Sequence, residues 1–147
     1  MDEATRDRRV DALVRRCHAG LPAAELGAEV LRRLRGVMAI DAGFFASVDP
    51  STLLFTGVSA EEPLAAVADQ FLGNEFGQPD VNKFTVLAAA TRPVESLDGA
   101  TGHDRASSPR YREVMAPLGL GDELRTAFRV DTATWGVMCL HLSLIHI

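Results

Sequence analysis

The stretch LRTAFRVDTATWGVMCL, residues 124–140, decides the class of fold. Leu124, Thr126, Phe128 and Val130 alternate with Arg125, Ala127 and Arg129, which is the two-residue period of a strand. Asp131 to Thr134 has turn chemistry, and Trp135 to Leu140 returns as an apolar run of strand length. Two strands joined by so short a connection pair antiparallel.

Outward from this hairpin the pattern changes between strand and helix several times. Phe44 to Val48 and Leu53 to Val58 flank Asp49-Pro50-Ser51 and read as a second hairpin, and Val94 to Leu97 as a brief strand. Leu64, Val67, Ala68, Phe71 and Leu72 form a helical stripe, preceded by Ser59 and Glu62 at capping-box spacing. Val81 to Ala90 reads as a short helix with Phe84, Leu87 and Ala88 inward. Ser108 as N-cap and Pro109 at N1 open another, with Tyr111, Val114, Met115 and Leu118 inward and Pro117 and Gly119 ending it. At the N-terminus Val10, Leu13, Val14 and Cys17 make the inner stripe of a helix over 3–19. Gly20 and Pro22 separate it from a second, to about Arg35, with Leu26, Val30, Leu31 and Leu34 on one stripe. The order α-α-β-β-α-α-β-α-β-β predicts an α+β fold, one antiparallel sheet with helices on its faces.

Length and composition bound the function. With 147 residues, 47% of them hydrophobic, the chain suffices for one domain and not two full ones. No apolar run approaches the roughly 20 residues of a membrane-spanning helix. The N-terminus has no secretory apolar stretch, so a cytoplasmic location is expected. Cys17 and Cys139 are too few for a disulfide framework, and the four histidines show no ligand spacing, so neither a metal nor a cofactor is expected. The net charge is −5, with the arginines concentrated in residues 1–36 and the middle of the chain acidic. That is not the basic face of a nucleic-acid binder.

NKF at 82–84, RPV at 92–94, ATGHD at 100–104, SPRYREVMAPLGLGDELR at 108–125 and WGVMCLH at 135–141 together resemble one group of regulators. These are LuxR-type transcription factors with an N-terminal GAF-like sensor domain, and the run over 108–125 is the most specific part of the likeness. The resemblance implies a central antiparallel sheet, terminal helices on one face, a ligand pocket on the other, and a helix-turn-helix domain beyond the region seen here. It implies sensing of a small molecule or partner, with no invariant catalytic residues. A small cysteine-dependent enzyme on the same scaffold and a purely structural dimerisation module are the rival readings. The final LSLIHI, residues 142–147, resembles the translation of a transposon end used in sequencing libraries. Residues 1–141 are therefore read as an incomplete sensor domain and 142–147 as foreign to it.

Candidate pocket residues follow from side-chain type. Phe45, Phe55, Phe71, Phe84, Tyr111, Met115, Phe128 and Trp135 supply aromatic and soft apolar surface, each also a candidate for plain core. His103 and Arg125 are the polar candidates; Arg125 suits an anion, or simply a pair with Asp122 or Glu123 on the surface. Cys139 and Cys17 read as small core residues. The expected partners are a small molecule and a second copy, with DNA reached only through the absent domain. Titration of labelled duplexes with residues 1–147 at near-physiological salt is expected to show no sequence-selective binding; selective binding would contradict the charge reading.

Overall fold

A computed structural model of the chain describes residues 1–147. Helices α1 (Glu3–Cys17) and α2 (Ala23–Leu34) precede strands β1 (Ala42–Val48) and β2 (Phe55–Ala60). A 3-10 turn, Leu64–Val67, leads into α3 (Ala68–Gly77), followed by α4 (Phe84–Ala89), β3 (Val94–Ser96) and the single turn α5 (Leu97–Ala100). Short helical turns fill much of 105–118 before β4 (Leu120–Val130) and β5 (Ala133–Ser143) close the sheet. The strand order is β2-β1-β5-β4-β3 with every neighbouring pair antiparallel. The class is α+β, a five-stranded antiparallel sheet flanked by helices. No helix is long and apolar enough to cross a membrane.

The 124–140 hairpin is longer and tighter than its sequence pattern suggests. Val130 pairs with Ala133, so only Asp131 and Thr132 turn the chain, and Asp131 takes φ +55°. Asp tolerates that left-handed conformation better than most residues do. β5 runs on past His141, with Leu142 opposite Asp122 and Ser143 opposite Leu120. Asp41 accepts from Ser143 N at 2.7 Å and lies 2.8 Å from His146 Nδ1.

Two helix starts differ from expectation. Neither Ser59 nor Glu62 caps a helix, because β2 continues to Ala60 in register with Phe44 and the helical turns begin only at Leu64. The helix expected from Ser108 is capped as predicted, Ser108 Oγ accepting from Tyr111 N at 3.2 Å, but it does not wind regularly. Pro117 offers no N–H to the Glu113 carbonyl, and Ala116 N donates to Tyr111 O in a wide π-helical turn.

The two faces of the sheet are covered very unequally. On one, Phe44, Ala46 and Val48 of β1, Ala127 of β4 and Val137 and Cys139 of β5 pack beneath Phe71, Phe84, Leu87, Val114 and Met115 in a fifteen-residue core. On the other, only Leu31, Phe45, Met138 and Leu140 are buried together. α1 contributes no buried residue. Cys17, expected on its inner stripe, is exposed instead. The reason is that α1 rides on α2 rather than on the sheet, tied by Arg9 donating to the Gly36 carbonyl and by Arg16 to Glu29.

α2 meets the sheet through glycine. A Cβ on Gly27 would lie 2.5 Å from Phe45 Cδ1. Helix propensity alone favours alanine by about 1 kcal/mol. Overpacking opposes it, typically by about 1–3 kcal/mol. Gly27→Ala is expected to destabilise in urea unfolding; a gain in stability would show that α2 lifts from Phe45 without cost.

Candidate functional site

Strand alternation places Glu123, Arg125 and Ala127 on one side of β4, and that side is the buried one. Arg125 is fully buried, whereas Phe128 and Val130 on the opposite side are 38% and 66% exposed. The predicted alternation holds, and the charged side is the one turned inward.

Around Arg125 lies an ionic cluster that spans five parts of the chain. Glu123 Oε1 accepts from Arg125 Nε at 2.8 Å and from Arg110 Nε at 3.0 Å, while Oε2 is 2.9 Å from His141 Nε2. Arg125 Nη1 donates to Glu75 Oε2 at 2.6 Å, and Glu75 Oε1 accepts from Phe84 N at 2.8 Å. Arg110 Nη1 reaches Asn74 Oδ1 at 3.2 Å. Asp80 accepts from Ser108 Oγ, Arg110 N and Asn74 Nδ2 at 2.7, 2.7 and 2.9 Å. Arg125 Nη2 has no hydrogen-bond partner. Its guanidinium lies 4.5 Å from the Phe84 ring centroid and 5.3 Å from that of Phe71, within cation–π range.

The electrostatics follow from this packing. Burial opposes ionisation of Glu123, but Arg125, Arg110 and the His141 hydrogen bond overcome it and hold the carboxyl well below its ordinary range. Asp80 is likewise resisted by burial and lowered by the Ser108 and Arg110 hydrogen bonds. Burial pushes the Cys139 thiol well up, so it stays protonated and is a poor nucleophile. The charges of this core are paired with one another, while Arg125 Nη2 and His141 Nδ1 are buried without a hydrogen-bond partner. Glu123 enters from sequence only as a possible partner of Arg125, and Glu75, Asp80, Arg110 and His141 are not among the candidate site residues. The one available signal was Glu123-Leu124-Arg125, opposite charges two apart in a strand and therefore on one face.

An open cleft of about 850 Å³ lies on the other face. Leu21, Ala23, Leu26 and Val30, with Cys17, form its helical wall. Phe45 and Gly136 belong to its floor, and Phe128, Val130 and Trp135 to the far wall. Ser47 and Thr56, hydrogen-bonded at 2.9 Å, and Asp49 complete it near the β1–β2 turn. The cleft exists because lengths do not match. The 12 residues of α2 extend about 18 Å. The 11 residues of β4 or β5 extend about 36 Å, so the hairpin end outruns its cover.

Phe45, Phe128 and Trp135 thus come together at one site. Phe71, Phe84 and Met115 lie in the opposite core, with Phe55 and Tyr111 packed against it. Arg125 belongs to the ionic cluster, paired with Glu123 as one expectation had it, though inside rather than at the surface. His103 stands on an exposed loop at φ +71°, its Nδ1 2.6 Å from Asp98 Oδ2. The cleft opens on the α1–α2 face, whereas the resemblance implied a pocket on the face away from the terminal helices.

Glu123 and Asp80 have folded-state affinities for protons below those of the unfolded chain. Their stabilisation is therefore complete above about pH 4–5 and is lost as pH falls further. Glu123→Gln removes the carboxylate that Arg110 and Arg125 share, leaving Arg125 to Glu75 and Arg110 to Asp80 at 3.7 Å, and a loss of about 3 kcal/mol is expected at pH 7. Urea unfolding from pH 7 to pH 3 should show a shallower acid loss in the variant than in the parent. An equal slope in both would remove Glu123 from the acid limb.

No family model matches the sequence, and no curated protein matches it. Nine chains of known structure do match. One is the crystal structure of the VqsR LBD domain from Pseudomonas aeruginosa, which is 14% identical, with 92% of this chain and 76% of that chain covered at a TM-score of 0.49.

Proposed function

We propose that the chain is a sensory domain that takes a small, largely apolar molecule into the cleft between α2 and the β4–β5 hairpin. The observation that carries this reading is the cleft itself: roomy, lined mainly by apolar side chains, and walled by a half-exposed tryptophan. Unfilled, it leaves Phe128, Val130 and Trp135 in contact with water, and a ligand that covers them gains their burial.

The helices supply a means of response. α2 is anchored through Gly27 and Leu31, which pack on Phe45, Met138 and Leu140, while Ala23 and Leu26, with Leu21 just ahead of the helix, overhang the cleft. A molecule beneath the overhang bears on α2, and through the Arg9 and Arg16 contacts on α1. Occupancy then biases the position of the helical pair, a two-state element in the sense of population shift. In the regulator that the resemblance points to, the controlled element is a helix-turn-helix domain outside these 147 residues. Exposed Val10 and Val14 on α1 give a second copy a place to pack. We read the domain as non-catalytic, in line with a Cys139 thiol that is buried and protonated.

Trp135 is the chain's single tryptophan, so its fluorescence reports on this wall alone. A panel of small metabolites screened by thermal shift and by Trp135 emission should yield compounds that move both. A compound at a hundred times its Kd adds about 2.7 kcal/mol to stability. Phe128→Ala should weaken such a compound about tenfold or more without unfolding the chain, since truncating a buried aromatic contact costs over 1 kcal/mol. Compounds that stabilise the fold while leaving Trp135 emission and the Phe128 variant indifferent would place the site elsewhere.

A further inference from the structure

We propose that the cleft selects cations: its ligand is an amphiphile with an apolar body and an ammonium group, held by the aromatic wall and Asp49. The inference rests on the sensory reading above and names the chemical class that this cleft would take.

Charge distribution carries the argument. Not one of the chain's fifteen lysine and arginine residues lines the cleft, although the helices overhanging it are rich in arginine. Most of those arginines are bonded elsewhere, Arg8 to Thr5 among them. Arg9 donates to the Gly36 carbonyl, Arg16, Arg32 and Arg33 converge on Glu29, and Arg35 pairs with Glu61. The only ionisable acid or base in the lining, the Cys17 thiol aside, is Asp49. A carboxylate or phosphate ligand would meet no cation there and one like charge.

Asp49 is built to stay charged and to keep one oxygen free. Its Oδ1 accepts from Ser51 N at 2.9 Å, Thr52 N at 3.0 Å and Thr52 Oγ1 at 3.2 Å. These bonds hold the carboxyl below its ordinary range. Oδ2 takes part in none of them. The same cleft carries aromatic surface: Phe45 and Phe128 with ring centroids 6.3 Å apart, and Trp135, which is 56% exposed. Ring faces attract an ammonium, and Trp does so best. A carboxylate in the same cleft supplies the counter-charge, and the chain's net charge of −5 draws cations toward it.

The test uses three compounds of one shape, measured by calorimetry on residues 1–147. They are a 4-butylbenzyl trimethylammonium salt, its uncharged tert-butyl isostere, and 4-butylphenylacetate. The ammonium compound is expected to bind about tenfold tighter than the isostere, as a cation–π contact plus one carboxylate allows, and the carboxylate weakest. In Asp49→Asn the amide oxygen still accepts from Ser51 N and Thr52 N, so the turn is kept. That variant should shrink the ammonium preference to about the cation–π share, roughly threefold, and leave the isostere's affinity unchanged. Isostere and ammonium binding equally, or a preference untouched by Asp49→Asn, would overturn cation selection while leaving the cleft a binding site. No binding by any of the three would overturn both the selection and the site.

Discussion

Glu123 has both carboxylate oxygens committed inside the protein, one to Arg110 and Arg125 and the other to His141. Each ion taken alone would resist burial by several kcal/mol, so the cluster is tolerable only when every partner arrives. Those partners come from α3, the turns after Ser108, and both long strands. Glu123 thereby ties the register of β4 and β5 to the position of two distant segments. A one-residue slip of β4 would turn its carboxylate, and the Arg125 guanidinium, out of the core.

This commitment shapes the rest of the molecule. Charged side chains and the aromatic rings of Phe71 and Phe84 occupy the face where α3 and α4 lie, and no oxygen of Glu123 is left to offer a ligand. What remains open is the other face, where one short helix covers two long strands. The cleft is a remainder of packing: apolar because that side of the β4–β5 hairpin is apolar, and without a lysine or arginine in its lining, most of the nearby arginines being bonded to Glu29, Glu61 and backbone. The α2 layer is the more weakly held of the two, since four buried residues hold it where fifteen hold the opposite layer.

Much of the architecture is legible from local pattern. The Asp131 turn between alternating strands, the stripe from Leu64 to Leu72 and the Ser108 cap each stand in the structure close to where they are read. The misreadings share a cause. Ser59-x-x-Glu62 has the spacing of a capping box, yet pairing with Phe44 keeps that backbone extended. Val10, Leu13, Val14 and Cys17 form an apolar stripe, yet α1 lands on α2 and not on the sheet, so Leu13 is half-buried and the other three are exposed. Local pattern describes what a segment is able to do, and the neighbour it meets decides what it does.

The element order, the antiparallel hairpins and the α+β class can be read locally, because they rest on periods of two and 3.6 residues and on turn chemistry within a few positions. The sequence also held the alternation of β4, and with it the statement that Arg125 and Phe128 lie on opposite sides. Which side is inside was decided only by tertiary structure. Hydrophobicity alone would bury Phe128 and expose Arg125; the protein does the reverse, because Glu75, fifty residues away, and Glu123 meet the guanidinium in the core while α2 ends short of Phe128. Burial of a charge depends on partners brought from afar, and no local pattern contains them.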